Sequence, residues 1–237
     1  MMSRMRDLAA RGLRRGVGPL VPTTFKLPFE YGLARLGGCE PELAQLRHMG
    51  PNRGVAIDVG ANRGLFTYPL ARLYERVHAF EINPDLAAKL RQWGSPRLEV
   101  HATGLSAREG RATLYTPFFQ GRRLDGWASL DPKNCPTAER LEETPVEIRT
   151  LDSFHLQGVT FIKADVEGHE PELLAGSRET IRSNRPIVLL EVKDANLPVV
   201  REFFSSLGYR ETRLKELIGV QGSKENYVFV PSASGAA

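Results

Sequence analysis

The chain has 237 residues, 41% of them hydrophobic and 25% charged, with a formal net charge of +4. That composition suits one large water-soluble α/β domain with short extensions. It excludes a membrane-spanning helix, because no run approaches the ~18 apolar residues needed. The charge is concentrated at the start, where Arg4, Arg6, Arg11, Arg14 and Arg15 face only Asp7 within the first 25 residues. The remainder is balanced, so no basic nucleic-acid groove is expected in the domain.

Residues 1–38 read as a basic N-terminal arm in which Pro19, Pro22 and Pro28 break regular structure. Two readings of the arm stay open. One is peripheral contact with an anionic membrane surface or a phosphate-bearing substrate; the other is a solvated leader, which costs little. Residues 16–22 are too short and too broken for a secretory h-region, and Cys39 and Cys135 match no metal spacing. Both are expected to be free thiols, which implies the cytoplasm.

From residue 39 to 231 the pattern is that of a single domain. A helix is expected over 40–49, and the nearly continuous apolar run 55–60 reads as a buried parallel strand. Residues 64–74 have helical spacing, and 77–82 form the second strand. Asn83-Pro84 then caps a helix bearing Leu86, Leu90 and Trp93. Strands are expected at 98–103 and 111–116. Residues 117–145 are rich in proline and glycine and hold Phe118, Phe119 and Trp127. Without clear periodicity, they read as a substrate lid or loop. Strands at 160–166 and 186–192 each precede a helix. The stretches 209–214 and 226–230 read as a closing antiparallel hairpin turning at 221–223, and 232–237 as a frayed tail.

The segment VAIDVGANRG (55–64) carries the most information. An apolar strand runs through Asp58 into a glycine turn and then a helix, and Glu81 ends the next strand. This order builds a nucleoside crevice lined by backbone N–H groups, with a carboxylate placed for vicinal ribose hydroxyls. A dinucleotide fingerprint needs a third glycine, whereas only Gly60 and Gly64 are present. With Asp58 in front, the motif resembles motif I of S-adenosylmethionine (SAM)-dependent methyltransferases. Gly60 and Gly64 are then expected to let the backbone approach the cofactor, with Asp58, Ala61 and Asn62 around its amino-acid end and Thr103-Gly104 beside the adenine.

A second block narrows the resemblance. TLDSF (150–154), FIKADVEGHE (161–170), LLAG (173–176) and RPIVLLE (185–191) follow in order. Over roughly residues 42–230 the chain resembles the FkbM family of SAM-dependent methyltransferases, with Ala164 where a larger aliphatic is usual. The resemblance implies a Rossmann-like class I methyltransferase fold. That fold has a mostly parallel seven-stranded sheet, an antiparallel C-terminal hairpin and helices on both faces. It also implies methylation of hydroxyl groups on sugars, glycoconjugate precursors or natural products.

Period-two alternation puts Lys163 and Asp165 on one face at the end of a core strand, where ligands gather in open α/β sheets. Glu191 ends the next strand and could face Asp165. The general base is expected to be Asp165 or Glu191 first and His169 second, with Glu167 nearby. Glu170 is read mainly as a helix-start residue. Asp165, Glu167 and Glu191 could also offer oxygen ligands to Mg²⁺. His48, His78, His101 and His155 are read as lone structural or surface residues. Methylation of RNA or protein, and non-catalytic SAM binding, are the rival readings.

Overall fold

The computed structural model describes residues 13–14, 16–37, 39–50, 53–135 and 137–232. Arg4, Arg6, Asp7, Arg11 and Arg15 of the expected basic arm, and residues 233–237 of the expected tail, lie outside the described residues.

The first helix, α1 (Thr23–Gly37), contains Pro28. The expectation that Pro28 breaks regular structure is therefore corrected. Proline removes one backbone donor, but Leu27 and Leu33 bury against the domain and hold the helix across the gap. The chain continues through α2 (Pro41–Gln45), β1 (Val55–Val59), α3 (Thr67–Leu73), β2 (Arg76–Phe80) and α4 (Pro84–Arg91). Asn83 caps α4, its side chain accepting from the Asp85 and Leu86 amides. Next come β3 (Leu98–His101), β4 (Gly104–Leu105), β5 (Gly110–Phe119), β6 (Arg122–Arg123) and β7 (Arg140–Arg149). The last elements are β8 (Val159–Ala164), α5 (Glu170–Ala175), α6 (Arg178–Asn184), β9 (Ile187–Glu191), α7 (Leu197–Ser206), β10 (Tyr209–Thr212), α8 (Leu214–Ile218) and β11 (Asn226–Pro231).

The main sheet has seven strands in the order β10-β11-β9-β8-β1-β2-β3. Pairs from β9 to β3 are parallel, and β11 is antiparallel to both its neighbours. The order reverses between β1 and β8, so the ends of these two strands open the crevice. Alternate residues of each strand feed separate cores. Ile57, Ile162, Val188 and Phe229 pack with α5, α6 and α7 on one face. Ala56, Phe161, Leu189 and Val228 pack with α2, α3 and α8 on the other. The closing strands are joined through α8 rather than by a tight turn at 221–223.

The second departure lies in residues 117–145. Much of this expected lid is strand: β5 pairs with β7 from Gly110↔Ile148 to Phe118↔Arg140, within a four-stranded sheet β4-β7-β5-β6. Half-exposed faces weaken the hydrophobic alternation of both strands. Pro145 is tolerated because β4 pairs with β7 only at Ile148 and Arg149. The connection between Phe119 and Arg140 folds back over the crevice. Ser129 pairs with Tyr115, its hydroxyl donates to the Glu167 carbonyl at 3.1 Å, and the Asn134 amide donates to the same oxygen at 2.8 Å.

Candidate functional site

The turn after β1 is made by left-handed backbone at Gly60 (φ 70°), Asn62 (φ 49°) and Gly64 (φ 82°). A Cβ on Gly60 would lie 1.9 Å from the Asp165 carbonyl oxygen, so the turn is pressed against the end of β8. A Cβ on Gly64 would meet Leu90 and Leu27. Both glycines therefore serve packing within the protein, and Gly60 also lines the crevice. The first amides of this turn are already engaged within the protein. The Gly60 and Ala61 amides donate to the Phe80 carbonyl, and the Asn62 amide donates to Glu81.

Glu81 is buried, and its two carboxylate oxygens accept from the Asn62 and Asn83 amides at 2.5 and 2.8 Å. Burial pushes its pKa up to about 7, against the pull of those two hydrogen bonds. Asp58 is fully buried. One of its oxygens accepts from the Thr67 hydroxyl at 2.6 Å, while Oδ1 has no partner. Its pKa is raised by burial, opposed by the Lys163 ammonium and the Thr67 bond.

Two cavities meet here. The smaller, about 670 Å³, is walled by Phe80, Glu81, Ile82, Thr103, Gly104 and Leu105 among others. The larger and more open, about 1650 Å³, is walled by Asp58, Phe66, Lys163, Trp127 and Arg63, together with residues at the C-terminal end of α1. Gly60, Asn62, Asp125, Gly126 and Asp165 line both. Asp165 Oδ1 and Asn62 Oδ1 are buried without a partner, like Asp58 Oδ1. Three orphaned oxygens around one junction are the mark of a site shaped for a ligand with donors to give. Glu81, which keeps lone pairs toward the smaller cavity's wall, fits a ribose in the same way. These residues therefore fit a nucleoside carrying an amino-acid end.

Lys163 is buried beneath Asp165, its Nζ 3.6 Å from Oδ2 and 5.0 Å from the Phe66 ring centre. Burial alone would lower its pKa, but the surrounding carboxylates Asp165, Asp58, Glu40 and Glu191 outweigh that and raise it. Lys193 bridges Glu167 at 3.1 Å and Glu191 at 3.8 Å. Burial, followed by the negative charges of Asp165 and Glu167, pushes Glu191 up to about 7. Burial and the charge of Asp165 also raise Glu167.

The structure thus brings Asp58, Asn62, Glu81, Lys163 and Asp165 together. Glu191 lies within electrostatic reach of Asp165 but lines neither cavity. His169 lines only the smaller cavity. Its ring nitrogens are engaged by the Ser106 hydroxyl at 3.0 Å and by Glu172 at 3.6 Å, and burial lowers its pKa. Ala61 lines the larger cavity, and Thr103 donates to the Glu147 carbonyl at 3.0 Å. Glu170 is buried, accepting from the Gly168 amide and from Asn196, as a helix-start residue should.

Sequence reasoning misses Glu40 and Asp125. Glu40 lines the larger cavity, and burial raises its pKa against the pull of Lys163. It sits before α2 with no motif around it. Asp125 pairs with Arg123 at 3.0 Å and stands at the junction. Only the fold of the β5–β7 connection brings it there. His78 and His101, read as lone residues, lie with their ring nitrogens 3.1 Å apart.

Among curated proteins the chain is 28% identical over 162 residues to the 2-O-methyltransferase NoeI of Sinorhizobium fredii, covering 60% of this chain and 65% of that one. Among solved structures it is similar to methyltransferase FkbM from Methylobacillus flagellatus, with a TM-score of 0.51 and 15% identity. That match covers 93% of this chain and 60% of the other. The chain therefore spans somewhat under two thirds of the length of each. Residues 58–211 match the family described as the methyltransferase FkbM domain, and the chain belongs to that family.

Proposed function

We propose that this protein is a SAM-dependent O-methyltransferase acting on a hydroxyl of a sugar, glycoconjugate or natural-product acceptor. The observation that carries this reading is Asp165, which lines both cavities and keeps a buried oxygen without a partner. A hydroxyl at that junction finds a carboxylate able to take its proton. The name of NoeI, a 2-O-methyltransferase, supports an oxygen acceptor.

SAM, when bound, supplies an electrophilic methyl on a sulfonium centre. Glu81 would hold the ribose hydroxyls with its remaining lone pairs, which a carboxylate does well. Asp58 Oδ1 and Asn62 Oδ1 would meet the ammonium of the amino-acid end. Thr103 and Gly104 would flank the base. Asp165 would take the proton of the acceptor hydroxyl as its oxygen gains the methyl and the cofactor is left as the neutral thioether. Lys163 balances the charge of Asp165, and Glu191, held near neutrality, provides the next carboxylate for the departing proton. Lys163 and Lys193 already balance the carboxylates at the positions considered for Mg²⁺, so the reading assigns that charge balance to the lysines. Trp127, 61% exposed on the rim of the larger cavity, offers a platform for a sugar face. Two free cysteines support a cytoplasmic setting. Among the described residues no helix is long and apolar enough to cross a membrane.

The test is transfer of labelled methyl from SAM to a panel of nucleotide sugars, glycolipid extracts, total RNA and denatured protein. Label in a sugar-bearing hydroxyl supports the reading. Label in RNA or protein overturns the acceptor class, and SAM binding without label in any fraction overturns transfer.

A further inference from the structure

We propose that His78, Glu99 and His101 form a binding site for a divalent transition metal of the zinc class, separate from the methyl-transfer crevice. The cluster lies on the β2–β3 pair at the edge of the main sheet, where the register sets His78 against Glu99 and Phe80 against His101. His78 Nδ1 and His101 Nε2 are 3.1 Å apart. Glu99 reaches both, with Oε2 3.6 Å from His78 Nδ1 and Oε1 3.7 Å from His101 Nε2. On a four-coordinate zinc with bonds of about 2.0 Å, neighbouring ligand atoms lie about 3.3 Å apart. The three side chains therefore stand at ligand-to-ligand spacing; the two imidazoles, 14° from coplanar with their nitrogens facing head-on, need only swivel to aim both lone pairs at one ion.

The surroundings are those of a built site. The His101 ring stacks on Phe80 at 4.5 Å and meets the edge of Phe154 at 5.0 Å, which fixes its orientation. His78 is nearly buried, His101 is mostly buried and Glu99 is half exposed, so the cluster has a packed floor and an open mouth. That mouth leaves a fourth position for water. Two imidazoles and a carboxylate suit zinc, cobalt, nickel or copper rather than magnesium or calcium.

Burial lowers the pKa of His78 and takes that of His101 down to about 4, so both rings are neutral at pH 7. One N–H must lie between the facing nitrogens when no ion is bound. Binding needs a lone pair on each, so that proton moves to the far nitrogen of its own ring. This is a change of tautomer with no net proton loss. Arg76 acts on His78, and Arg91 and Arg149 on His101, as cations that oppose a second charge, while Glu99 favours it.

The test uses the full chain, stripped with a chelator and then dialysed free of it. Titration with Co²⁺ alone should give the intense visible bands of four-coordinate cobalt, saturating at one ion per chain and abolished by Zn²⁺. His101→Phe, which keeps the aromatic stack, and the half-exposed Glu99→Gln should each weaken binding at least about 10-fold, since losing even an outer partner of a ligand costs that much. Both should retain the wild-type melting curve in the absence of metal. Absence of the bands at saturating Co²⁺, or equal affinity in Glu99→Gln and wild type, would overturn the site. The readout is a spectrum and a stoichiometry, so it stands whether or not methyl transfer is detected.

Discussion

Lys163 Nζ stands 3.6 Å from Asp165 Oδ2, two residues along the same strand end, and both groups open onto the larger cavity. The pair sits where β8 meets the β1 turn, at the reversal of strand order. Its cation is shared by Asp58, Glu40 and Glu191, so removing it affects a whole set of carboxylates.

Lys163→Met keeps the bulk and removes the charge. Uncompensated buried carboxylates are expected to cost about 3 kcal/mol or more, read as a lower urea midpoint with an unchanged slope. A midpoint within error of the wild type would show that the carboxylates do not depend on this ammonium.

Glu81→Ala removes the acceptor of two backbone amides and of the proposed ribose hydroxyls. Calorimetric titration with SAM should show affinity reduced at least about 100-fold, the scale expected for a charged hydrogen-bonding group that serves buried donors. Undiminished heats of binding would remove Glu81 from the site.

The pH profile of turnover carries a sign. Glu191 is held near 7 by burial and by the like charges of Asp165 and Glu167. Protonated Glu191 cannot take the proton onward from Asp165, so kcat should rise with pH through about 7 and level above it. Glu191→Gln removes that onward acceptor and should abolish the rising limb near 7. An unmoved limb would separate Glu191 from the reaction.

Gly60→Ala drives a methyl into the Asp165 carbonyl oxygen at a positive φ and should cost about 3 kcal/mol or more. Gly94→Ala, also at positive φ but facing open space, should cost only about 1 kcal/mol. Chemical denaturation of both variants checks the contrast. Equal losses would mean that backbone strain, not the turn's contact with β8, decides.

Asn134→Ala removes the amide that ties the β5–β7 connection to the Glu167 carbonyl and to Ser129 Oγ, at 2.8 and 2.9 Å. Amide exchange over residues 125–135 should speed up several-fold and the acceptor KM should rise, with SAM affinity little changed. Exchange rates equal to wild type would show that Ser129 alone anchors the connection.

Much of the architecture was legible because it is local. The apolar run into Asp58 and the turn, the cap at Asn83, and the alternation of Lys163 and Asp165 each lie within a few residues. Burial on both sheet faces made the two strand patterns unambiguous, and a side-chain cap followed by proline made the helix start so. The β5–β7 ladder was not legible, because Arg140–Arg149 is half exposed, contains Pro145 and pairs with a strand more than twenty residues away. The packing role of Gly60 and Gly64 was not legible for a related reason. What fills the space at an absent side chain is chosen by other segments, here Asp165, Leu90 and Leu27.

By itself the sequence determined the alternating order of strands and helices and the acidic strand ends that follow from it. These depend on hydrophobic period and turn chemistry, which are read along the chain. Only the tertiary structure decided which charges meet. Strand register sets His78 beside Glu99, the α1–α2 junction carries Glu40 toward Lys163, and the folded connection lays Asp125 over the crevice. Contacts between distant segments are set by how whole faces pack, and no local pattern records that.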